Sequence, residues 1–182
     1  MPQIIPAGQN VVSYQKLAGM LIERFGKPVF DFALLSQLHQ LERCFPNPSE
    51  VKRLRVLDLG CGCESGAAET VGNRGVWSPW LCRAIEMLGG KAVGVDIGRQ
   101  SEKDTFEFHK IDLAEPGALD CFRSGSFDVF NCTNLFCSPH LSRLGLRIRD
   151  RVEMKNRISS DVRRLLRLEG NIIQFDTLAG CD

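Results

Sequence analysis

Several common targeting and binding patterns are missing from this sequence of 182 residues. It has no apolar run long enough to span a bilayer and no signal-peptide pattern at its start, which predicts a cytoplasmic protein. It has no internal repeats and no low-complexity tracts, so we expect one domain. A net charge of +1 gives no general reason to expect binding to nucleic acid or to membranes.

A metal-binding motif is missing as well, although the chain has eight cysteines. No two cysteines have the C-x-x-C spacing that zinc modules use, so we predict no metal site. The cysteines lie mostly in apolar or glycine-rich segments of a chain without a secretory signal. We therefore expect reduced, buried thiols.

The most informative stretch of the chain runs from Leu54 to Gly66. A short apolar run there suits a buried strand, and it ends in a turn that contains Gly60 and Gly62. A strand that enters a glycine-rich turn, with a helix further on, is how nucleotide-like ligands are held at the carboxyl end of a parallel sheet. Three later apolar runs have single acids near their ends: Asp96, Asp112 and Asp128.

The hydrophobic pattern predicts alternating helices and strands along the whole chain. We expect strands over 54–59, 92–95, 105–109, 127–131 and 171–175, and longer helices over 13–25, 29–44, 78–88 and 146–168. This alternation is typical of an α/β fold with a doubly wound, mostly parallel sheet. The single domain, 1–182, divides into an N-terminal helical cap (1–50), an α/β core (51–176) and a short tail (177–182). The two helices of the cap either cover a sheet edge or form a lid over the ligand.

The glycine turn does not match the common phosphate-binding motifs. Ser65 stands where the NAD fingerprint has its third glycine, Asp96 is too distant for the ribose acid of that fingerprint, and the P-loop motif is absent. A turn of this kind suits a nucleoside with little phosphate. A carboxylate such as Asp96 accepts hydrogen bonds from both vicinal ribose hydroxyls in a fork. Asp112 is then a candidate acceptor for an exocyclic amine.

Five segments, in this order, together resemble the class I (Rossmann-like) S-adenosylmethionine-dependent methyltransferases. They are Val56–Gly62, Ala92–Ile97, His109–Leu113, Ser126–Asn131 and Leu165–Ile173. The resemblance covers about residues 54–175 and implies S-adenosylmethionine as the cofactor. At the methionine end of that cofactor it places Asp58 and the turn residues Gly60, Cys61 and Gly62.

The resemblance also assigns the other end of the cofactor. Asp96 would hold the ribose hydroxyls, with Ile97 against the adenine. Asp112 would accept a hydrogen bond from the adenine amine, and Leu113 would lie beside that amine. Asn131 would end the fourth strand beneath the sulfonium and face the substrate.

The implied reaction is methyl transfer to a small-molecule or protein acceptor. It is a direct displacement on an activated methyl group, so catalysis is mostly alignment and exclusion of water. A base is needed only for a protonated acceptor, and His140 in the loop after the fourth strand is our candidate. The alternative is a non-catalytic cofactor-binding or partner subunit with the same fold. An NAD-dependent oxidoreductase is a weaker alternative, because Ser65 does not fit its fingerprint.

Two features bear on partners. The family usually continues with two more strands after the fifth, and only 177–182 follow here, so we expect a sheet that lacks its last two strands. An apolar edge at the fifth strand is an aggregation hazard, which predicts a homodimer through this edge or poor solubility. The helix around 143–167 carries a basic stripe that RNA would fit, but we favour a solvated face with ion pairs.

Overall fold

A computed structural model of the chain describes residues 12–27, 31–63, 78–138, 141 and 144–176. Its helices are α1 (Tyr14–Phe25), α2 (Asp31–Cys44), α3 (Trp80–Met87) and α4 (Ile148–Leu165), with a 3-10 helix at Pro48–Arg53. Its strands are β1 (Arg55–Leu59), β2 (Lys91–Asp96), β3 (Glu107–Lys110), β4 (Phe127–Cys132) and β5 (Leu166–Phe175). These strands form one parallel sheet in the order β3-β2-β1-β4-β5. The predicted doubly wound, Rossmann-like fold is confirmed.

The strand order creates a crevice at one edge of the sheet. The chain runs outward from β1 through β2 to β3, and then returns to place β4 on the other side of β1. In open α/β sheets, ligands bind at the carboxyl ends of the strands where the order reverses in this way. Helices α1, α2 and α3 pack on one face of the sheet, and α4 packs on the other. Because both faces are covered, the central strands are almost continuously apolar.

Helices α1 and α2 belong to the core. The Ser13 side chain accepts the Lys16 N–H at 3.3 Å and so caps α1, as predicted. Leu17 and Leu21 of α1 and Leu41 of α2 are fully buried in one cluster with α3 and the sheet. Full burial of one leucine contributes roughly 2 kcal/mol. The interpretation of these helices as a lid is therefore wrong, since lifting them would expose several such side chains.

Helix α3 begins later than the sequence pattern predicts. The predicted N-cap was Ser78, but Pro79 occupies that position and makes no side-chain cap hydrogen bond. Ser78 contributes its backbone carbonyl instead, which accepts the Trp80 N–H at 2.8 Å. The predicted end is confirmed, because Gly89 adopts a φ of 82° just after the helix.

Strand β5 starts earlier than predicted and is irregular. Helix α4 ends at Leu165 and the strand follows at once, whereas we expected helix to 168. Phe127 pairs with Leu166 and Val129 with Asn171, so residues 167–170 bulge out of the ladder. Within the described part of the chain, no strand pairs with the outer edge of β5. A second register shift lies within 171–175, because Phe130 pairs with Ile172 and Asn131 with Gln174. Pairing of this edge with a second copy stays a prediction.

The basic side chains of α4 are largely engaged within the protein. Arg149 forms an ion pair with Glu153 at 3.0 Å. Arg164 pairs with Asp161 at 2.9 Å and also donates to two backbone carbonyls. Whether this face is simply solvated or binds RNA stays a prediction.

Gly94 in β2 makes room for two thiols. A Cβ built on Gly94 would lie 2.8 Å from Cys61 Sγ, 2.8 Å from Phe106 Cε2 and 3.3 Å from Cys82 Sγ. Both cysteines are fully buried. Burial raises the pKa of Cys61 to about 11 and raises the pKa of Cys82 well above its ordinary value. Both thiols are therefore neutral at physiological pH.

The expectation of reduced, buried thiols holds for only some of the cysteines. It is confirmed at four positions: Cys61, Cys63, Cys82 and Cys132. It is wrong for Cys44 and Cys121, which are exposed, and for Cys137, which is disulfide-bonded.

The position of Gly94 gives a direct test of this packing. We expect Gly94→Ala to lower the free energy of unfolding by about 1–3 kcal/mol, because the new methyl group overpacks two sulfur atoms and an aromatic ring. Gly19→Ala is the matched control, since Gly19 is on the exposed face of α1 and a Cβ there meets nothing within 4 Å. Alanine in a helix interior is expected to stabilise by up to about 1 kcal/mol. Urea denaturation of both variants measures the difference, and equal stabilities would contradict this packing.

Candidate cofactor site

The glycine turn after β1 is directed toward the end of β2. The N–H groups of Gly60 and Cys61 both donate to the Val95 carbonyl, at 2.8 and 3.2 Å. Gly60 and Gly62 have φ values of 68° and 97°, a region that L side chains rarely adopt. Because these backbone donors are used inside the sheet, they do not form a cradle for phosphate. This geometry agrees with the exclusion of the dinucleotide and P-loop motifs.

Asp96 connects this turn to the end of β2. Its Oδ2 accepts the Gly62 N–H at 3.0 Å, and its Oδ1 accepts the Gly98 N–H at 3.0 Å. The side chain is partly exposed. A carboxylate offers about four lone-pair positions, so it accepts further hydrogen bonds beyond these two. The two halves of the predicted nucleoside site, the turn and the acid, are therefore in direct contact.

Asp58 and Asn131 form a buried pair close to the turn. They are register partners on β1 and β4, and Asn131 Nδ2 donates to Asp58 Oδ1 at 2.7 Å. The Thr133 hydroxyl donates to the Asn131 Oδ1 at 3.2 Å. Asp58 and Asn131 are only 2% and 1% exposed. Their predicted contacts with cofactor and substrate stay predictions, and the observed contacts join the two strands at the crevice.

The carboxyl group of Asp58 is electrostatically unusual. Burial raises its pKa to about 7, against the opposing effect of the hydrogen bonds from Asn131 and Cys82. The Cys82 thiol donates to Asp58 Oδ2 at 3.6 Å, and nearby Asp96 raises the pKa further. A protein interior disfavours an isolated charge, so the proton is retained to near neutral pH.

The residues predicted for the adenine end follow β2 and β3. Ile97 is half-buried beside Asp96, and the Ile111 N–H donates to the Asp96 carbonyl at 3.0 Å. Asp112 is exposed, and its Oδ1 accepts the Ala114 N–H at 2.9 Å. Leu113 is buried in the core cluster on the α4 side of the sheet. Asp112 directly follows Ile111, the residue whose N–H binds the Asp96 carbonyl. Leu113 mainly contributes to the packing of the core.

The loop after β4 contributes a residue that the sequence pattern did not indicate. Leu135 packs against Gly60, with Cδ1 and Cβ at 3.1 and 3.4 Å from the position of a Cβ built on that glycine. Phe136 beside it is fully buried, and its backbone is fixed by the side chains of Asp176 and Arg151. No local pattern predicts these contacts, because the partners are distant in sequence.

Two further predictions concern this region. His140, the candidate base, lies outside the described residues. Among the residues that are described, no group of three or more histidine, cysteine, aspartate or glutamate side chains is placed to hold a metal ion.

None of the helices that the structure describes is long and apolar enough to cross a membrane.

The shifted pKa of Asp58 predicts how stability varies with pH. The folded protein keeps the proton up to about pH 7, whereas an unperturbed carboxyl loses it near 3.8. Asp58 therefore costs stability progressively as the pH rises from about 4 to about 7, and the cost is constant above that. Asp58→Asn lacks this titration. As the pH rises over that range, we expect the free energy of unfolding of Asp58→Asn to increase relative to that of the wild type by a few kcal/mol.

Urea denaturation at several pH values between 4 and 8 measures this difference. Asp120→Asn, which changes an exposed carboxylate beside Arg164, is the control. Parallel profiles for Asp58→Asn and the wild type would contradict the assignment of a buried, protonated carboxyl.

Comparisons with known proteins find similar solved structures but no matching family. No protein-family model and no curated protein sequence matches the chain. Among solved structures, it is similar to the MycE methyltransferase from the mycinamycin biosynthetic pathway, in complex with Mg, SAH and mycinamycin VI. That match has 18% identity and a TM-score of 0.46, and covers 79% of this chain and 37% of MycE.

A second similar structure is the trans-methyltransferase CalH in complex with SAH. Here the identity is 18% and the TM-score 0.40, with 85% of this chain and 41% of CalH covered. The chain thus spans about two fifths of the length of each protein. The fold of this chain is established by its own strand order, a parallel β3-β2-β1-β4-β5 sheet.

Proposed function

We propose that this chain binds S-adenosylmethionine at the carboxyl edge of its sheet and transfers the methyl group to a small-molecule or protein acceptor. The observation that supports this most strongly is the contact between Asp96 and the glycine turn, with Asp96 Oδ2 accepting the Gly62 N–H at 3.0 Å. It brings together, at the strand ends, the carboxylate predicted to bind the ribose and the glycine turn predicted to lie under the amino-acid tail. These are the two parts that a nucleoside with an extended tail requires.

The donors and acceptors of the site fit a nucleoside with little phosphate. The turn N–H groups of Gly60, Cys61 and Gly62 donate to the Val95 carbonyl and the Asp96 carboxylate, so these donors are not free for an anionic ligand. A pyrophosphate would lack the backbone donors that it needs at this place. The proposal of an NAD-dependent oxidoreductase is weaker for the same reason. A ribose, in contrast, requires an acceptor, which Asp96 supplies.

The residues of the chain would act by binding and alignment. When bound, S-adenosylmethionine supplies a methyl group already activated by the sulfonium. Asp96 would hold the ribose hydroxyls and Asp112 the adenine amine, while the turn at Gly60–Gly62 supports the amino-acid tail. The buried pair of Asp58 and Asn131 fixes β1 against β4 and so keeps the turn in place. The small number of chemical groups required fits a reaction that depends mainly on orientation.

The alternative is a binding subunit that retains the cofactor site without turnover. The same contacts of Asp96 and the turn support it, because they concern binding only. The two proposals differ in whether an acceptor reaches the methyl group. Turnover therefore separates them, and affinity does not.

Binding is tested by calorimetric titration with S-adenosylmethionine, S-adenosylhomocysteine and NAD. We expect the first two to bind and NAD not to bind. Asp96→Ala removes both hydroxyl acceptors and is expected to weaken binding by about 10- to 100-fold, since a hydrogen bond to a charged group contributes roughly 1.5–3 kcal/mol.

Two variants make this titration specific. Asp96→Asn keeps one acceptor for the Gly62 N–H and separates loss of charge from loss of the turn. Asp120→Ala removes an exposed carboxylate near Arg164, outside the proposed site, and should bind like the wild type. Unchanged affinity in both Asp96 variants would exclude Asp96 from the site.

Turnover is tested by incubating the protein with a cell extract and S-adenosylmethionine labelled in its methyl group. An enzyme is expected to transfer label to a discrete acceptor, and Asp96→Ala should reduce the transfer at subsaturating cofactor. Binding without any transfer of label would favour the non-catalytic subunit.

A further inference from the structure

The side chain of Leu135 covers the side of Gly60 on which any other residue would carry its Cβ. A Cβ built on Gly60 would meet Leu135 Cδ1 at 3.1 Å, Cβ at 3.4 Å and Cγ at 3.7 Å. Three carbon atoms of Leu135 thus lie within 4 Å of that position. Gly60 has no side chain of its own, and its close-approach surface is covered by this leucine.

The backbone next to Leu135 is held in place. The Phe136 N–H donates to Asp176 Oδ2 at 3.2 Å, and the Phe136 carbonyl accepts from Arg151 Nη1 at 3.3 Å. Phe136, Arg151 and Asp176 are all buried. The N–H and the carbonyl of Phe136 are therefore both held by buried, charged side chains, and a movement of the loop would break both contacts. Hydrogen bonds to charged groups are the stronger class, so a movement of this loop is costly.

The side chain of Leu135 itself is less constrained than its backbone. It is only half-buried, while its neighbour Phe136 is fully buried. A leucine side chain has several staggered rotamers, which exchange rapidly at a partly exposed position. Leu135 packs against the core cluster on the α4 side of the sheet, so a rotation that uncovers Gly60 gives up part of this packing but leaves both backbone contacts of Phe136 in place.

We propose that the Leu135 side chain is a gate over Gly60 that the amino-acid tail of an adenosyl ligand must displace. This inference rests on the proposed function, because it assumes that the tail lies over the turn. The closed rotamer lowers the apparent affinity for ligands with the tail and leaves ligands that end at the sulfur unaffected. Leu135 therefore sets selectivity between nucleosides that share the same adenosine.

The test compares S-adenosylhomocysteine with 5′-methylthioadenosine by calorimetry. Both probes carry the adenosine and the sulfur, and only the first carries the amino-acid tail. We expect Leu135→Ala to bind S-adenosylhomocysteine about three- to tenfold more tightly than the wild type, because no rotamer change is needed. Its affinity for 5′-methylthioadenosine should change less than about twofold. Leu135→Phe should weaken only the first probe.

Leu144→Ala is the matched control, because Leu144 lies later in the same connection and is 46% exposed. It should leave both affinities unchanged. An unchanged or weakened affinity of Leu135→Ala for S-adenosylhomocysteine would overturn the gate while leaving the proposed function intact. If neither probe binds to the wild type or to any variant, the gate and the proposed function both fail.

Discussion

The hydrogen bond from the Gly62 N–H to the Asp96 carboxylate is the contact on which the proposed site depends. It fixes the turn after β1 against the end of β2 and orients the acid toward the edge of the sheet. The neighbouring N–H groups of Gly60 and Cys61 bind the Val95 carbonyl, which turns them away from any phosphate. One arrangement of backbone and carboxylate thus creates an acceptor for hydroxyl groups and removes an anion site. A nucleoside fits this chemistry better than a nucleotide.

Polar groups near the turn support this geometry at a cost in stability. Asp58 is buried between Asn131 and Cys82, and burial of a carboxyl in such surroundings is unfavourable unless it is hydrogen-bonded or protonated. The pair with Asn131 joins β1 to β4 at the place where the strand order reverses. Gly94 on β2 leaves room for the Cys61 and Cys82 thiols next to that pair. Two buried polar side chains of the sheet, Asp58 and Asn131, therefore lie next to the proposed site.

Much of the fold was predictable because buried parallel strands are short apolar runs with clear ends. The strand positions follow from that pattern, and so does the placing of Asp96 and the glycine turn at strand ends, whereas the order of the strands was not predicted. The junction after Leu165 was not predictable, since its alternation of apolar and polar residues suits a helix and a bulged strand equally well. The cap of α3 was mispredicted because a backbone carbonyl replaced the Ser78 hydroxyl. Leu135 was missed because its contact with Gly60 joins residues far apart in sequence.

The sharpest test of the proposed site is a crystal structure of the chain grown with S-adenosylhomocysteine. We expect both ribose hydroxyls at about 3 Å from the Asp96 carboxylate, with the amino-acid tail over Gly60–Gly62 and the Leu135 side chain rotated away from the turn. Adenosine density on another face of the sheet, or a ribose with no contact to Asp96, would contradict it.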